Sequence, residues 1–172
     1  MYKEFFIAAV SLLFLGCQNN SPKHMESDSV SDTVVSSDII NTGSDVAVQF
    51  INDYINDSNK GKHGAGIEEF VLTNLHVTKK FKDELIRILD EAEKSDPGYG
   101  LGFDPIFNAQ DYDESGMEAE TIDDKQYIVV SGKKWKDFKI TLKIIYQNKK
   151  WLVDGCGIVN IPDDKQVYFK NH

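Results

Sequence analysis

The chain has 172 residues, 41% of them apolar and 11% aromatic, enough for one buried core once a leader and a linker are set aside. Lys and Arg number 19 against 28 Asp and Glu, a net charge of -9. Acidity of that size repels a phosphate backbone, which argues against nucleic acid as a partner, and otherwise implies only a dissolved domain that favours cationic partners.

In chain order, Lys3 lies in a short polar start and is followed by the apolar run Phe5–Leu15. That run is too short to cross a bilayer as a helix but suits the core of a signal peptide. It ends in Phe14-Leu15-Gly16-Cys17, which resembles the bacterial lipobox. The resemblance implies a leader over residues 1–16 that is cut off and a diacylglycerol on the Cys17 thiol. Each buried CH2 of such chains contributes about 0.8 kcal/mol to anchoring. Gln18 follows, where Asp commonly signals retention at the inner membrane, so the same resemblance implies the outer membrane, facing periplasm or exterior. Residues 17–43 are rich in Ser, Asp, Asn and Thr without periodicity, the composition of a disordered tether with a reach of roughly 30 Å.

The folded domain is expected over residues 44–172. Ser44 is a candidate N-cap, and Val46, Ala47, Phe50, Ile51, Tyr54 and Ile55 form an apolar stripe at helical spacing. The glycine-rich connector 61–66 leads to a short helix near Ile67–Leu75. Thr78 then caps a longer helix with Phe81, Leu85, Ile86, Leu89 and Ala92 on one face. Ser95-Asp96-Pro97-Gly98 stops it, and an irregular segment runs to about Gly116. Strands follow: a weak one over Met117–Ile122, then Gln126–Gly132, Phe138–Tyr146, and a return strand from Trp151 to about Ile161. In the third, alternation sends Phe138, Ile140, Leu142, Ile144 and Tyr146 to a core and Lys139, Thr141 and Lys143 to water. Helices first and hairpin-linked strands last make an α+β pattern, with N-terminal helices packed on a curved antiparallel sheet.

The closing hairpin around Asn148–Asp154 resembles that of the cystatin-like, nuclear transport factor 2-like fold, in which helices wrap a bent sheet into an open cone. The element Phe103-Asp104-Pro105-Ile106-Phe107-Asn108-Ala109-Gln110-Asp111-Tyr112 is similar to one in the uncharacterised envelope lipoproteins of the domain of unknown function 3828 family. The similarity covers about residues 45–162. It implies the cone-like fold and no particular reaction.

Chemical signatures are sparse. Asp96, Asp104, Asp111, Asp113 and Glu114 make the irregular segment acidic, but their spacing does not match a twelve-residue calcium loop, so turn-forming is the favoured role. The runs Gly61–Gly66 and Gly98–Gly102 lack the strand and helix context of phosphate or dinucleotide loops. His24, His63, His76 and His172 are scattered, so no metal site is expected, and no cofactor motif occurs. Cys156, inside an apolar stretch, reads as a buried and inert thiol. The favoured reading is therefore a non-catalytic domain that binds an unknown small ligand or envelope protein, held to the membrane through Cys17. Candidate pocket or loop residues are Asp104, Gln110, Asp111, Tyr127, Tyr146 and Asp154, and Tyr99, Phe103, Phe107 and Tyr112 are candidates to line a mouth. Two alternatives stand beside it. One is a small cone-fold enzyme using Asp154 or Asp111 as base beside Tyr127 or Tyr146. The other is a protective protein that neutralises a cationic toxin.

Overall fold

A computed structural model describes residues 42–123 and 126–167. The leader, Cys17, the tether up to residue 41, His24 and His172 lie outside the described residues. The described chain folds as α+β, with three α-helices packed against a four-stranded antiparallel sheet.

Helix α1 spans Gly43–Ser58. Its N-cap is Thr42, one of two competing candidates in Thr42-Gly43-Ser44-Asp45. Thr42 wins because its hydroxyl oxygen accepts from the Asp45 amide while the Asp45 carboxylate accepts from the Thr42 amide, closing a capping box. The expected cap at Ser44 is thus displaced by two residues, and the boundary between linker and domain moves with it. The apolar stripe is as expected: Val46, Ala47, Phe50, Ile51, Tyr54 and Ile55 are all buried.

A 3-10 turn at Gly61–His63 and helix α2, Gly66–Thr73, follow. The connector between them wraps the buried Asp57, whose carboxylate accepts from the Ala65 amide at 2.8 Å and from Lys60 Nζ at 3.1 Å. Helix α3, Lys79–Ser95, is capped by Thr78, whose hydroxyl oxygen accepts from the Phe81 amide. Phe81 and Leu85 are buried, while Ile86 and Leu89 remain half-exposed.

The strands β1 (Met117–Asp123), β2 (Tyr127–Gly132), β3 (Lys139–Gln147) and β4 (Lys150–Cys156) pair in sequence order, each antiparallel to the next. Register shifts at Ala119/Thr121 and Lys143/Ile144 mark bulges, which bend and twist the sheet. The β3–β4 connection is a two-residue turn at Asn148-Lys149, both with positive φ, the geometry that matches strand twist. The return strand ends at Cys156 rather than Ile161. Gly157 has φ +62 and turns the chain, so that the Cys156 amide bonds the Val159 carbonyl.

α1 lies across the sheet and packs on all four strands. Its stripe meets Ile128, Val130, Ile140, Leu142, Ile144 and Val153, all buried in one cluster. Burying each such side chain contributes about 1.5–3 kcal/mol, so this layer carries most of the fold. The opposite sheet face is only partly solvated. Thr141, expected in water, is buried because its hydroxyl donates to the Lys165 carbonyl of the C-terminal segment that crosses it.

Both outer strands are tied down. On β1, the Asn52 side chain of α1 accepts from the Met117 amide at 2.8 Å and donates to the Met117 carbonyl at 3.0 Å, as a neighbouring strand would. On β4, residues 76–78 add a short parallel bridge, with the Val153 amide donating to His76 and the Thr78 amide to Val153. Asp154 completes this junction, accepting from the Thr78 hydroxyl at 2.8 Å and from Lys143 Nζ at 2.9 Å.

Asp113 fastens the entry to β1 onto the β2–β3 turn. Its carboxylate accepts from the amides of Ser115, Lys134 and Trp135 at 2.9, 2.7 and 2.6 Å, and from the Ser115 hydroxyl. Burial alone would raise its pKa, but these donors outweigh burial and hold the carboxyl well below the usual range. The contribution to stability is therefore complete above the unfolded value near 4 and is lost as pH falls toward the folded value. Asp113→Asn is expected to cost about 1.5–3 kcal/mol in urea unfolding at pH 7, with a smaller deficit at pH 3.

Candidate functional site

The irregular segment 96–116 is ordered by contacts from three sides. At its centre Asp104 forms a turn: its Oδ1 accepts from the Ile106 and Phe107 amides at 2.7 and 3.0 Å, and its backbone pairs with Ala109. The other carboxylate oxygen accepts from the Tyr54 hydroxyl of α1 at 2.5 Å. Beneath lies Cys156, fully buried, whose thiol donates to the Ile106 carbonyl at 3.5 Å.

The floor requires a glycine. A side chain on Gly157 would place a Cβ 2.2 Å from the Pro105 carbonyl oxygen and 2.4 Å from that of Ile106. The loop can therefore settle onto the end of β4, where the Ile158 amide donates to Pro105 at 3.0 Å. Its aromatic residues join a chain of rings: Phe70 against Tyr54, Tyr54 against Phe107 at 4.9 Å, and Phe107 stacked on Tyr112 at 4.3 Å. The Tyr112 hydroxyl donates to Asn59 at the end of α1. Outside this chain, Tyr99 is 82% exposed and Phe103 stands at the surface.

The electrostatics follow from the burial. Tyr54 is pushed far above the usual phenol range, first by burial and then by the adjacent Asp104 charge. Burial also raises Asp104, and the hydrogen bonds from Tyr54 and the two amides offset only part of that rise. Cys156 is raised well above a normal thiol by burial and by Asp104, which keeps the sulfur protonated and a poor nucleophile.

The residues singled out from sequence do not converge. Asp104 is inside the loop with Tyr54. Gln110 is exposed and donates to the Gly102 carbonyl at the loop's outer side, and Asp111 is exposed beside it. Asp154 is buried in the junction with Thr78 and Lys143. Tyr127 lies under the Lys165 ammonium, and Tyr146 is 61% exposed against Trp151. Of the four candidate mouth aromatics, Phe107 and Tyr112 belong to the packed ring chain, whereas Tyr99 and Phe103 face outward. Sequence reasoning missed Tyr54, Asn52 and Gly157. Tyr54 read only as a member of the helical stripe, and its partner lies 50 residues away. Among the described residues, no group of three His, Cys, Asp or Glu side chains comes together to hold a metal ion.

No protein-family model matches the chain, and no curated protein does. A solved structure with a similar course is described as a protein of unknown function from Bacteroides thetaiotaomicron, at 2.10 Å resolution. It is 19% identical, covers 66% of this chain and 89% of its own, and superposes with a TM-score of 0.38. A likeness of that degree carries neither a family nor a function to this chain.

Two substitutions test the loop. Asp104 has a raised folded pKa, so its ionisation costs stability: the contribution is present below the unfolded value near 4 and is lost as pH rises through the folded value. Asp104→Asn keeps an acceptor for the amides and removes the charge. It is expected to leave stability unchanged or raised at pH 7, and any advantage over the parent should shrink at pH 4 in parallel urea titrations. Gly157→Ala meets both the positive φ and the two carbonyls, and should cost at least about 2 kcal/mol, with exposure of Cys156 to thiol reagents.

Proposed function

We propose that this chain is a bacterial envelope lipoprotein, anchored by acyl chains on Cys17, whose folded domain binds a ligand or partner without performing a reaction on it. The lipobox-like Phe14–Cys17 supports the anchor, and the similarity of Phe103–Tyr112 to the domain of unknown function 3828 lipoproteins fits the same reading. For the domain, one observation carries the reading. The buried carboxylates Asp57, Asp113 and Asp154 and the half-buried Asp104 are each engaged by structural donors, while Phe103 stands outward beside the fixed Asp104 turn and Tyr99 stands outward just ahead of it. A catalytic base needs a carboxylate facing a substrate space, and a recognition surface needs exposed apolar groups on a rigid support. The second description suits this loop.

Two measurements bear on this. Metabolic labelling with palmitate should mark the expressed protein and leave Cys17→Ala unlabelled; an unlabelled parent would remove the anchor. Fractions of envelope extract should raise the melting temperature of the parent by mass action, and the shift should disappear in Tyr99→Ser/Phe103→Ser while that variant's own melting temperature stays within a few degrees, because surface changes alter stability by only about 0.5 kcal/mol. A shift that survives the double substitution would place binding elsewhere.

A further inference from the structure

The β3–β4 hairpin runs on beyond its described pairing with β2. Its last described bond to the β2 side is from the Ile144 amide to the Gln126 carbonyl, and from Ile145 to its turn the hairpin continues for several residues, roughly 10 Å at the rise of a strand. This extension carries Tyr146, 61% exposed, with its ring against Trp151, and beyond them Lys149 and Lys150 at an exposed tip. Among the described residues no ion pair engages either lysine. Leu75, 80% exposed, belongs to the same end of the molecule, since the next residue, His76, accepts from Val153 on β4.

The chain enters the domain at this end too. A Cβ on Gly43 would fall 1.9 Å from Ile144 Cδ1 and 3.1 Å from Trp151 Cε3, so the first turn of α1 rests on the base of the hairpin. Cys17 lies upstream of Thr42 by a stretch whose composition gives a reach of roughly 30 Å. The acidic residue of that first turn, Asp45, is turned back onto Thr42.

We propose that this hairpin tip docks on an anionic lipid surface, with Tyr146 and Trp151 at headgroup depth and Lys149 and Lys150 against lipid phosphates. Tyr and Trp are suited to the bilayer interface because their rings are apolar at one end and polar at the other. On a protein of net charge -9, the two unpaired tip lysines give an anionic membrane a point of attraction, and the entry of the tethered chain at this end favours them over the exposed Lys133 and Lys134 of the β2–β3 turn. The docking rests on the lipid anchor of the preceding reading for its local concentration: a chain held at Cys17 meets the bilayer with the end through which it is tethered.

The test uses the full lipidated protein in vesicles of phosphatidylcholine with or without phosphatidylglycerol. With Cys17 acylated and Cys156 buried, Gln147→Cys supplies a reactive thiol for an environment-sensitive dye, and Asp137→Cys, in the β2–β3 turn at the opposite end, is the control. On anionic vesicles the dye at 147 should shift to the blue and be quenched by lipid-borne quenchers, while the dye at 137 stays in water. Lys149→Glu/Lys150→Glu or roughly 0.5 M salt should cut the response at 147 by about threefold or more, since each cation near the surface weighs appreciably and is screened by salt. A protein that floats with the vesicles and takes up palmitate, yet leaves dye 147 in water, keeps its anchor and loses the docking. If palmitate is not incorporated, the same dye on unacylated protein at high anionic lipid still decides the hairpin. A response at 147 that follows protein concentration instead of lipid charge would mean self-association and would overturn the proposal.

Discussion

The seating of α1 across the sheet is the contact on which the remainder depends. Its buried face supplies the inner layer to all four strands, and its polar side chains at the margins do the fastening. Asn52 holds the outer strand β1, Tyr54 holds the loop through Asp104, and Asn59 holds the far end of that loop through Tyr112. One helix therefore sets the register of the sheet edge and the position of the candidate binding loop together. The loop is held by its bonds to the helix whose apolar stripe is buried on the sheet, not by any regular structure of its own.

The internal polar groups share a pattern. Asp104, Asp113 and Asp154 each join segments distant in sequence, Asp57 ties the end of α1 to the connector that follows it, and each is met by backbone amides, hydroxyls or a lysine. A buried carboxylate left without donors costs far more than the net gain of a satisfied one. These four are hence specific instructions: they penalise any arrangement in which the wrong donors arrive. Asp104 and Asp113 differ in sign, one raised by burial that its donors only partly offset, the other lowered by donors that overcome it. Acid loosens the turn around Asp113 and relieves the strain of charge at Asp104.

Periodicity made the elements legible. The stripe from Val46 to Ile55, the Thr78 cap and the alternation through Phe138–Ile144 are local signals, and they mark real elements. The cap of α1 was also within reach, because Thr42 stands three residues before Asp45, the spacing of a capping box. What local pattern does not contain is partnership at long range. Asp154 meets Thr78 across 76 residues and Asp104 meets Tyr54 across 50, and no spacing rule connects them. Thr141 looked solvated because alternation describes one sheet, and the segment that covers it arrives from the C-terminus. Gly157 falls inside a stretch with the pattern of a strand, and the demand for a bare α-carbon there comes from carbonyls in another segment.

The place of the Thr42 cap has a practical side. The residues before Ser44 have the look of spacer, and a shortened gene designed from composition would begin there. Such a truncation would strip the hydroxyl and amide that close the capping box and leave the opening amides of α1 to water. Fraying would then start where the helix rests on Ile144 and Trp151, at the seam that seals one end of the sheet. Two residues that resemble packaging are part of the machine, and a fragment meant for crystals or binding work should retain them.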